Sequence, residues 1–202
     1  MRKKFIYFLW GTLILGILSS FLCFLAIWFG WIGYMPPIEE LQNPINRFAT
    51  QIYSSDGKVI GTWNQNRENR VNVSYSELSP HLVHALVATE DIRFYDHSGV
   101  DFIALGRALI KRGLMGKASA GGGSTITQQL AKQLYSETAH STLERLLQKP
   151  IEWVIAIKLE RNYTKEEIIA LYLNYFDFLH NAVGIKTATN TYFSKEPKDL
   201  TV

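Results

Sequence analysis

The chain has 202 residues, 47% of them hydrophobic and 19% charged, with a formal net charge of +3 at pH 7. That composition supplies a core for one domain and an appendage, and it excludes a disordered tail. Arg2, Lys3 and Lys4 account for the whole cationic excess, so a nucleic-acid-binding reading has no support in overall charge.

Residues 5–38 carry no charge at all, a run longer than the roughly 20 residues needed to cross a bilayer. A cleaved signal peptide has an apolar region of only about 7 to 15 residues ending at a small-residue site, so the run is read as a retained single-pass anchor. The three preceding cations place the N-terminus in the cytoplasm and everything after about Tyr34 outside. Trp28, Trp31 and Tyr34 fit an interfacial aromatic belt at the outer end. The only cysteine, Cys23, falls inside the anchor, so the exported part must be held by its core rather than by an internal disulfide. Residues 1–34 are therefore read as basic start and anchor, 35–48 as a stalk opened by Pro36-Pro37, and 49–202 as the working domain.

That domain opens with β-like runs at Gln51 to Tyr53 and Lys58 to Trp63 around Ser54-Ser55-Asp56-Gly57, a hairpin signal. Helical patterns follow. Ser79-Pro80 opens one helix toward Asp91, Asp101 caps a second to about Leu114, and Ser124 can cap a third to about Tyr135. Ser141 with Glu144 and Thr164 with Glu167 each have the capping-box spacing. Pro150 interrupts the first of these segments; interior proline costs about 3 kcal/mol, which predicts a kink or a fresh start there. The fold class is mainly α with a small β hairpin.

Chemistry-bearing residues concentrate in three stretches. In the first, Glu90 continues the apolar stripe of Val83, Leu86 and Val87, where partial desolvation would tune a carboxylate into a general base; a helix-end glutamate turned to solvent fits the same spacing. Asp91, Phe94 and His97 add polar and aromatic groups in the next loop, and no second histidine stands at zinc-ligand spacing. In the second, a glycine run ending at Gly123 leads into Ser124, Gln128 and Lys132, four residues apart on one helix face, with Thr125 and Gln129 beside them. Backbone N–H groups at such a helix start suit a phosphate, although the pattern is not a nucleotide P-loop. Residues 102–136 hold Arg107, Lys111, Arg112, Lys117 and Lys132 with no acid, favouring an anion or an acidic membrane surface. The third stretch holds Arg145, Lys149 and Glu152. If Pro150 restarts the helix, Glu152 sits in a first turn where the dipole and Lys149 favour its charged form; an ordinary surface Lys–Glu pair is the alternative.

These ordered motifs resemble the peptidoglycan glycosyltransferase domain of class A penicillin-binding proteins, glycosyltransferase family 51, over nearly everything after the anchor. E-D-x-x-F-x-x-H-x-G is met by Glu90, Asp91, Phe94, His97 and Gly99, and G-G-S-T-I-T-Q-Q-L-x-K runs from Gly122 to Lys132. Lys149 and Glu152 meet K-x-x-E, and the later L-E-R, K-x-E-I, Y-L-N and Y-F-x-K segments are met through Leu159, Lys165, Asn174 and Lys195. The resemblance implies a lysozyme-like helical lobe with a small membrane-proximal jaw, acting on lipid II and a growing glycan strand at the bacterial cell membrane, with the catalytic domain periplasmic or extracytoplasmic. It implies Glu90 as the general base and Glu152 as the second catalytic carboxylate, orienting the donor pyrophosphate and holding a divalent cation such as Mg2+. Lys132, Lys149 and Arg145 would stabilise the leaving pyrophosphate. Asp91, Phe94, His97, Ser124, Thr125, Gln128, Gln129, Asn174 and Lys195 would bind substrate.

The chain departs from the family pattern at three places. Gln148 replaces an arginine, with Arg145 as candidate substitute. Leu179 and Asn181 stand where glycines are usual. The sequence stops at Val202, which reads as a C-terminal truncation before a transpeptidase domain; cell-wall assembly proteins are the further expected partners. A lytic muramidase and a catalytically inactive binding or scaffold fragment are the competing readings, and the lytic one leaves Lys132 and the basic patch unused.

Overall fold

The structure is a computed structural model that describes residues 2–37, 40–41, 50–57, 59–63, 71–113, 122–135 and 142–201. Among these, helix α1 (Arg2–Trp28) is the one helix long and apolar enough to cross a membrane. Its apolar side chains are exposed until its last turn, where Ile27 is buried. That end docks on α5 (Thr142–Asn162): Phe24 stacks on Trp153 at 6.2 Å, and Lys158 Nζ donates to the Trp28 carbonyl at 3.2 Å. A helix-end carbonyl has no partner within its own helix, so this lysine acts as a cap supplied by another element. Burial lowers the Lys158 pKa from its ordinary value. Most of the expected stalk lies outside the described residues.

The hairpin forms as read. Strand β1 (Thr50–Tyr53) pairs antiparallel with β2 (Val59–Trp63), Thr50 opposite Trp63, with a register shift at Ile52/Tyr53. Gly57 in the turn has φ +79°, a conformation L side chains rarely adopt.

Helices α2 (Pro80–Glu90), α3 (Phe102–Gly113), α4 (Ile126–Tyr135), α6 (Lys165–Tyr175) and α7 (Ile185–Phe193) complete the domain. Helix α4 packs against both α5 and α6. Ile126 and Leu130 of α4, Ile155 and Leu159 of α5, and Ile168 and Ile169 of α6 form the centre of the core, joined by Phe94 from the loop after α2. All of α6 from Ile168 to Tyr175 is buried, the signature of a central helix. Its start is fixed by the predicted capping box, in which the Thr164 side chain accepts from Glu167 N–H while the Glu167 carboxylate accepts from Thr164 N–H at 2.7 Å.

The structure corrects two sequence expectations about helix ends. Thr125, not Ser124, caps α4, its Oγ1 accepting from Gln128 N–H at 3.1 Å. Helix α5 runs unbroken through Pro150, because Val154, Ile155 and Leu159 beyond the proline are locked into the core and tertiary packing overrides a local propensity. Glu152 is therefore mid-helix, and no helix N-terminus acts on it.

Between α6 and α7 the chain turns through Leu179, Asn181 and the intervening His180, with φ of 69°, 61° and 50°. These left-handed values account for the glycines expected there. Asp177 Oδ1 accepts from Leu179 N–H at 2.8 Å, and Tyr192 Oη donates to the Phe178 carbonyl at 2.8 Å, holding the turn without them.

Candidate active site

The first two stretches meet at the end of α2. Glu90 is the last residue of that helix and is exposed, so the desolvated carboxylate expected from the apolar stripe is not observed. Its Oε2 accepts from Gln129 Nε2 at 2.8 Å, and Gln129 Oε1 accepts from Tyr172 Oη at 3.0 Å. Burial, and secondarily the Glu90 charge, push the Tyr172 phenol up to about 12.

Asp91, one residue further, has left the helix and points inward. Its Oδ2 lies 2.9 Å from His97 Nε2 and accepts from Ile126 N–H at 3.1 Å, satisfying a donor in the first turn of α4. Gly99 N–H donates to His97 Nδ1 at 3.2 Å, which makes Nδ1 the acceptor and Nε2 the donor to Asp91. The Gly99 carbonyl accepts from Thr125 Oγ1 at 2.6 Å and from Gln128 Nε2 at 3.3 Å. Gly99 has φ +95°, and a Cβ there would lie 2.8 Å from the Ala156 carbonyl carbon, so only glycine lets this loop touch α5.

Asp91, His97, Gly99, Thr125 and Gln128 thus form one buried polar network that fixes the start of α4 against the loop after α2. A second network adjoins it. Lys165 Nζ donates to the His97 carbonyl at 2.7 Å and to Glu160 Oε1 at 2.8 Å, stands 4.2 Å from the Phe94 ring centroid, and shares Glu160 Oε1 with Thr127 Oγ1 at 2.6 Å. Asp101 caps α3 as predicted, accepting from Ile103 and Ala104 N–H at 2.9 Å. Burial alone would raise the Asp101 carboxyl, but Ala104 N–H, the Arg93 guanidinium and Ile103 N–H together hold it below its ordinary value.

The third stretch reaches the second through Lys149, whose Nζ donates to Glu152 Oε2 at 2.6 Å and to Ser124 Oγ at 3.4 Å. Glu152 is buried while the Lys149 side chain is half exposed. The carboxylate therefore has its counter-ion at the surface. Glu90 therefore meets α4 at Gln129, whereas Glu152 reaches the segment just before α4 at Ser124 through Lys149.

Lys132 and Arg107 are exposed on α4 and α3, and Lys195 is exposed after α7. Asn174 is buried: its Nδ2 donates to the Val73 carbonyl at 2.8 Å and its Oδ1 accepts from Val73 N–H at 3.0 Å. The side chains of Lys111, Arg112 and Arg145, and all of Lys117 and Gly121, lie outside what the structure describes. Sequence reasoning gave no role to Tyr172, Thr127 and Glu160, although they lie inside the Y-L-N, G-G-S-T-I-T-Q-Q-L-x-K and L-E-R segments. The partners of Tyr172 and Thr127 are on other helices, which local spacing does not reveal. Glu160 stands five positions before Lys165, across a helix boundary where periodicity is silent.

Residues 56–202 match the transglycosylase family. The chain is 40% identical to penicillin-binding protein 1A of Haemophilus influenzae over 95% of its own length and 21% of that protein. It is 36% identical to penicillin-binding protein 1F of Bacillus subtilis over its full length and 27% of that protein. Against penicillin-binding protein 1A of Escherichia coli the identity is 38% over 83% of the chain and 19% of the relative. The chain thus spans about a quarter or less of the length of these relatives.

Proposed function

We propose that this chain, which belongs to the transglycosylase family, is a membrane-anchored peptidoglycan glycosyltransferase that extends glycan strands from lipid II. Glu90 takes the proton of the acceptor sugar 4-hydroxyl. The freed oxygen attacks the anomeric carbon of the growing strand, a new C–O bond forms with inversion, and the bond to the polyprenyl pyrophosphate breaks, its electron pair leaving on the phosphate oxygen. The observation that carries the base assignment is the accessible Glu90 carboxylate, anchored by Gln129 on one oxygen only. General-base help of this kind contributes typically about 10²- to 10⁴-fold.

Negative charge developing on the leaving pyrophosphate requires cations in place beforehand. Lys149, braced between Glu152 and Ser124, and exposed Lys132 are the described groups suited to that task. Glu152 holds Lys149 rather than touching the reacting atoms. The expected divalent cation finds little in this donor set: no three His, Cys, Asp or Glu side chains gather among the described residues, and Glu152 Oε2 is already closed by an ammonium. The leaving charge is met by Lys149 and Lys132.

Thr125, Gln128, Asn174, Asp91 and His97 support substrate binding by shaping the site, since each is committed to a protein partner. We assign α1 as a single-pass anchor, N-terminus inside and domain outside, bringing the site to a lipid-linked substrate. A transpeptidase region in the full polypeptide, consistent with the greater length of the penicillin-binding relatives, and cell-wall assembly partners complete the proposal.

The test is glycan synthesis from labelled lipid II by the chain in proteoliposomes. Long strands that disappear in Glu90→Gln support the reading. Polymerisation indifferent to that change overturns the base assignment, and shortening of preformed glycan points to a lytic enzyme instead.

A further inference from the structure

We propose that Tyr172 is a positioning residue for the base: it holds the Gln129 amide in the orientation that occupies Glu90 Oε2 and leaves Glu90 Oε1 to take the proton. The inference rests on the proposed function and concerns how its base is aimed.

A glutamine side chain presents an acceptor at one end and two donors at the other. Only with Oε1 turned to Tyr172 does the donor end face the Glu90 carboxylate. The observed contacts are of that kind, with Tyr172 Oη at 3.0 Å from Gln129 Oε1 and Gln129 Nε2 at 2.8 Å from Glu90 Oε2. Turned the other way, the amide oxygen would meet an ionised carboxylate oxygen. Among the described residues, no other group hydrogen-bonds to Glu90. Its orientation at an exposed helix end depends on this single contact.

Tyr172 is suited to brace the contact because it cannot move. It lies in the buried stretch of α6 from Ile168 to Tyr175, is only 3% exposed, and its ring packs against Phe176 at 5.4 Å between centroids. With its phenol pushed up to about 12 by burial and then by the Glu90 charge, it remains a hydrogen-bond donor at neutral pH. Donation to Oε1 also polarises the amide and strengthens the N–H that faces Glu90. Removing the hydroxyl leaves Oε1 a partly buried acceptor without a donor and frees the amide to rotate away from the base.

The experiment uses the full chain in proteoliposomes with labelled lipid II, comparing Tyr172→Phe, Gln129→Met and the double variant. Tyr172→Phe keeps the ring and its packing. The expected result is a fall in kcat of about tenfold with KM within about twofold, a similar fall for Gln129→Met, and a double variant no slower than the slower single, since coupled residues are non-additive. Unchanged kcat in Tyr172→Phe, a loss confined to KM, or losses that multiply in the double variant would overturn the proposal. Should Tyr172→Phe fold poorly, Gln129→Met at normal thermal stability supplies the reading, and an unchanged rate there overturns it equally. Glu90→Gln, assayed in parallel, separates the two levels. If it still polymerises, the base assignment on which this inference rests fails; if it is dead while Tyr172→Phe is silent, only the role of Tyr172 fails.

Discussion

Glu90 and Asp91 are consecutive carboxylates in opposite environments. Glu90 ends a helix, faces solvent and has a neutral amide partner that is itself braced from behind. Asp91 leaves the helix, is buried, and is closed by His97 and the first turn of α4. The same division runs through the other motifs. Exposed Lys132 and half-exposed Lys149 face outward, whereas Thr125, Gln128 and Asn174 are spent on backbone groups. The motif residues of this chain thus comprise an exposed rim and a buried pier that holds the rim in place. The two should respond to mutation in different observables.

The sharpest way to break that division is Glu90→Gln, expected to lower the polymerisation rate by about 10² to 10⁴ while the melting temperature stays within about a degree, as for an exposed surface change. A large drop in Tm would move Glu90 into the pier. Asp91→Asn should do the reverse first. Replacing the charged oxygen shared by His97 and Ile126 N–H with a neutral amide weakens both bonds, at a cost of about 1–3 kcal/mol, lowering Tm by roughly 2–4 °C per kcal/mol for a domain of this size. Normal thermal stability with lost activity would instead place Asp91 on the rim.

Smaller effects sharpen the pier itself. Leu179→Gly should raise stability by about 1 kcal/mol, since a left-handed backbone costs an L residue about that much, with no change in rate. A denaturant midpoint at or below that of the unchanged chain would show the turn is held without strain. The smallest effect belongs to Asp101→Asn, which keeps a capping side chain but removes the charge facing Arg93. The folded carboxyl lies below its ordinary value, so its stabilisation is present above the unfolded pKa of about 3.9 and is lost as pH falls through the folded value. The Tm gap between the two chains should therefore be open at neutral pH and close on acidification; a pH-independent gap would contradict the ion-pair account.

Much of the fold was legible because it rests on local rules. The apolar run at the start, the Asp-Gly hairpin, proline at the start of α2, the Asp101 cap and the Thr164–Glu167 box each act within a few residues and appear where periodicity and capping chemistry put them. Membership of the transglycosylase family was legible in the same way, through ordered motifs. What the sequence alone could not assign was the side of the wall on which each motif residue stands. Spacing put Glu90 on an apolar stripe, yet the helix ends there and the carboxylate reaches solvent. Pro150 promised a break, yet the core contacts of Ile155 and Leu159 carry α5 through it. Tyr172, 82 positions after Glu90 in the chain, reaches it only because α4 is wedged against α6. Helix starts, turns and membrane spans are decided by neighbours in sequence, whereas burial and long-range hydrogen bonds are decided by which helix faces which. The sequence by itself determined the elements and the chemical repertoire, and only the tertiary structure divided that repertoire between rim and pier.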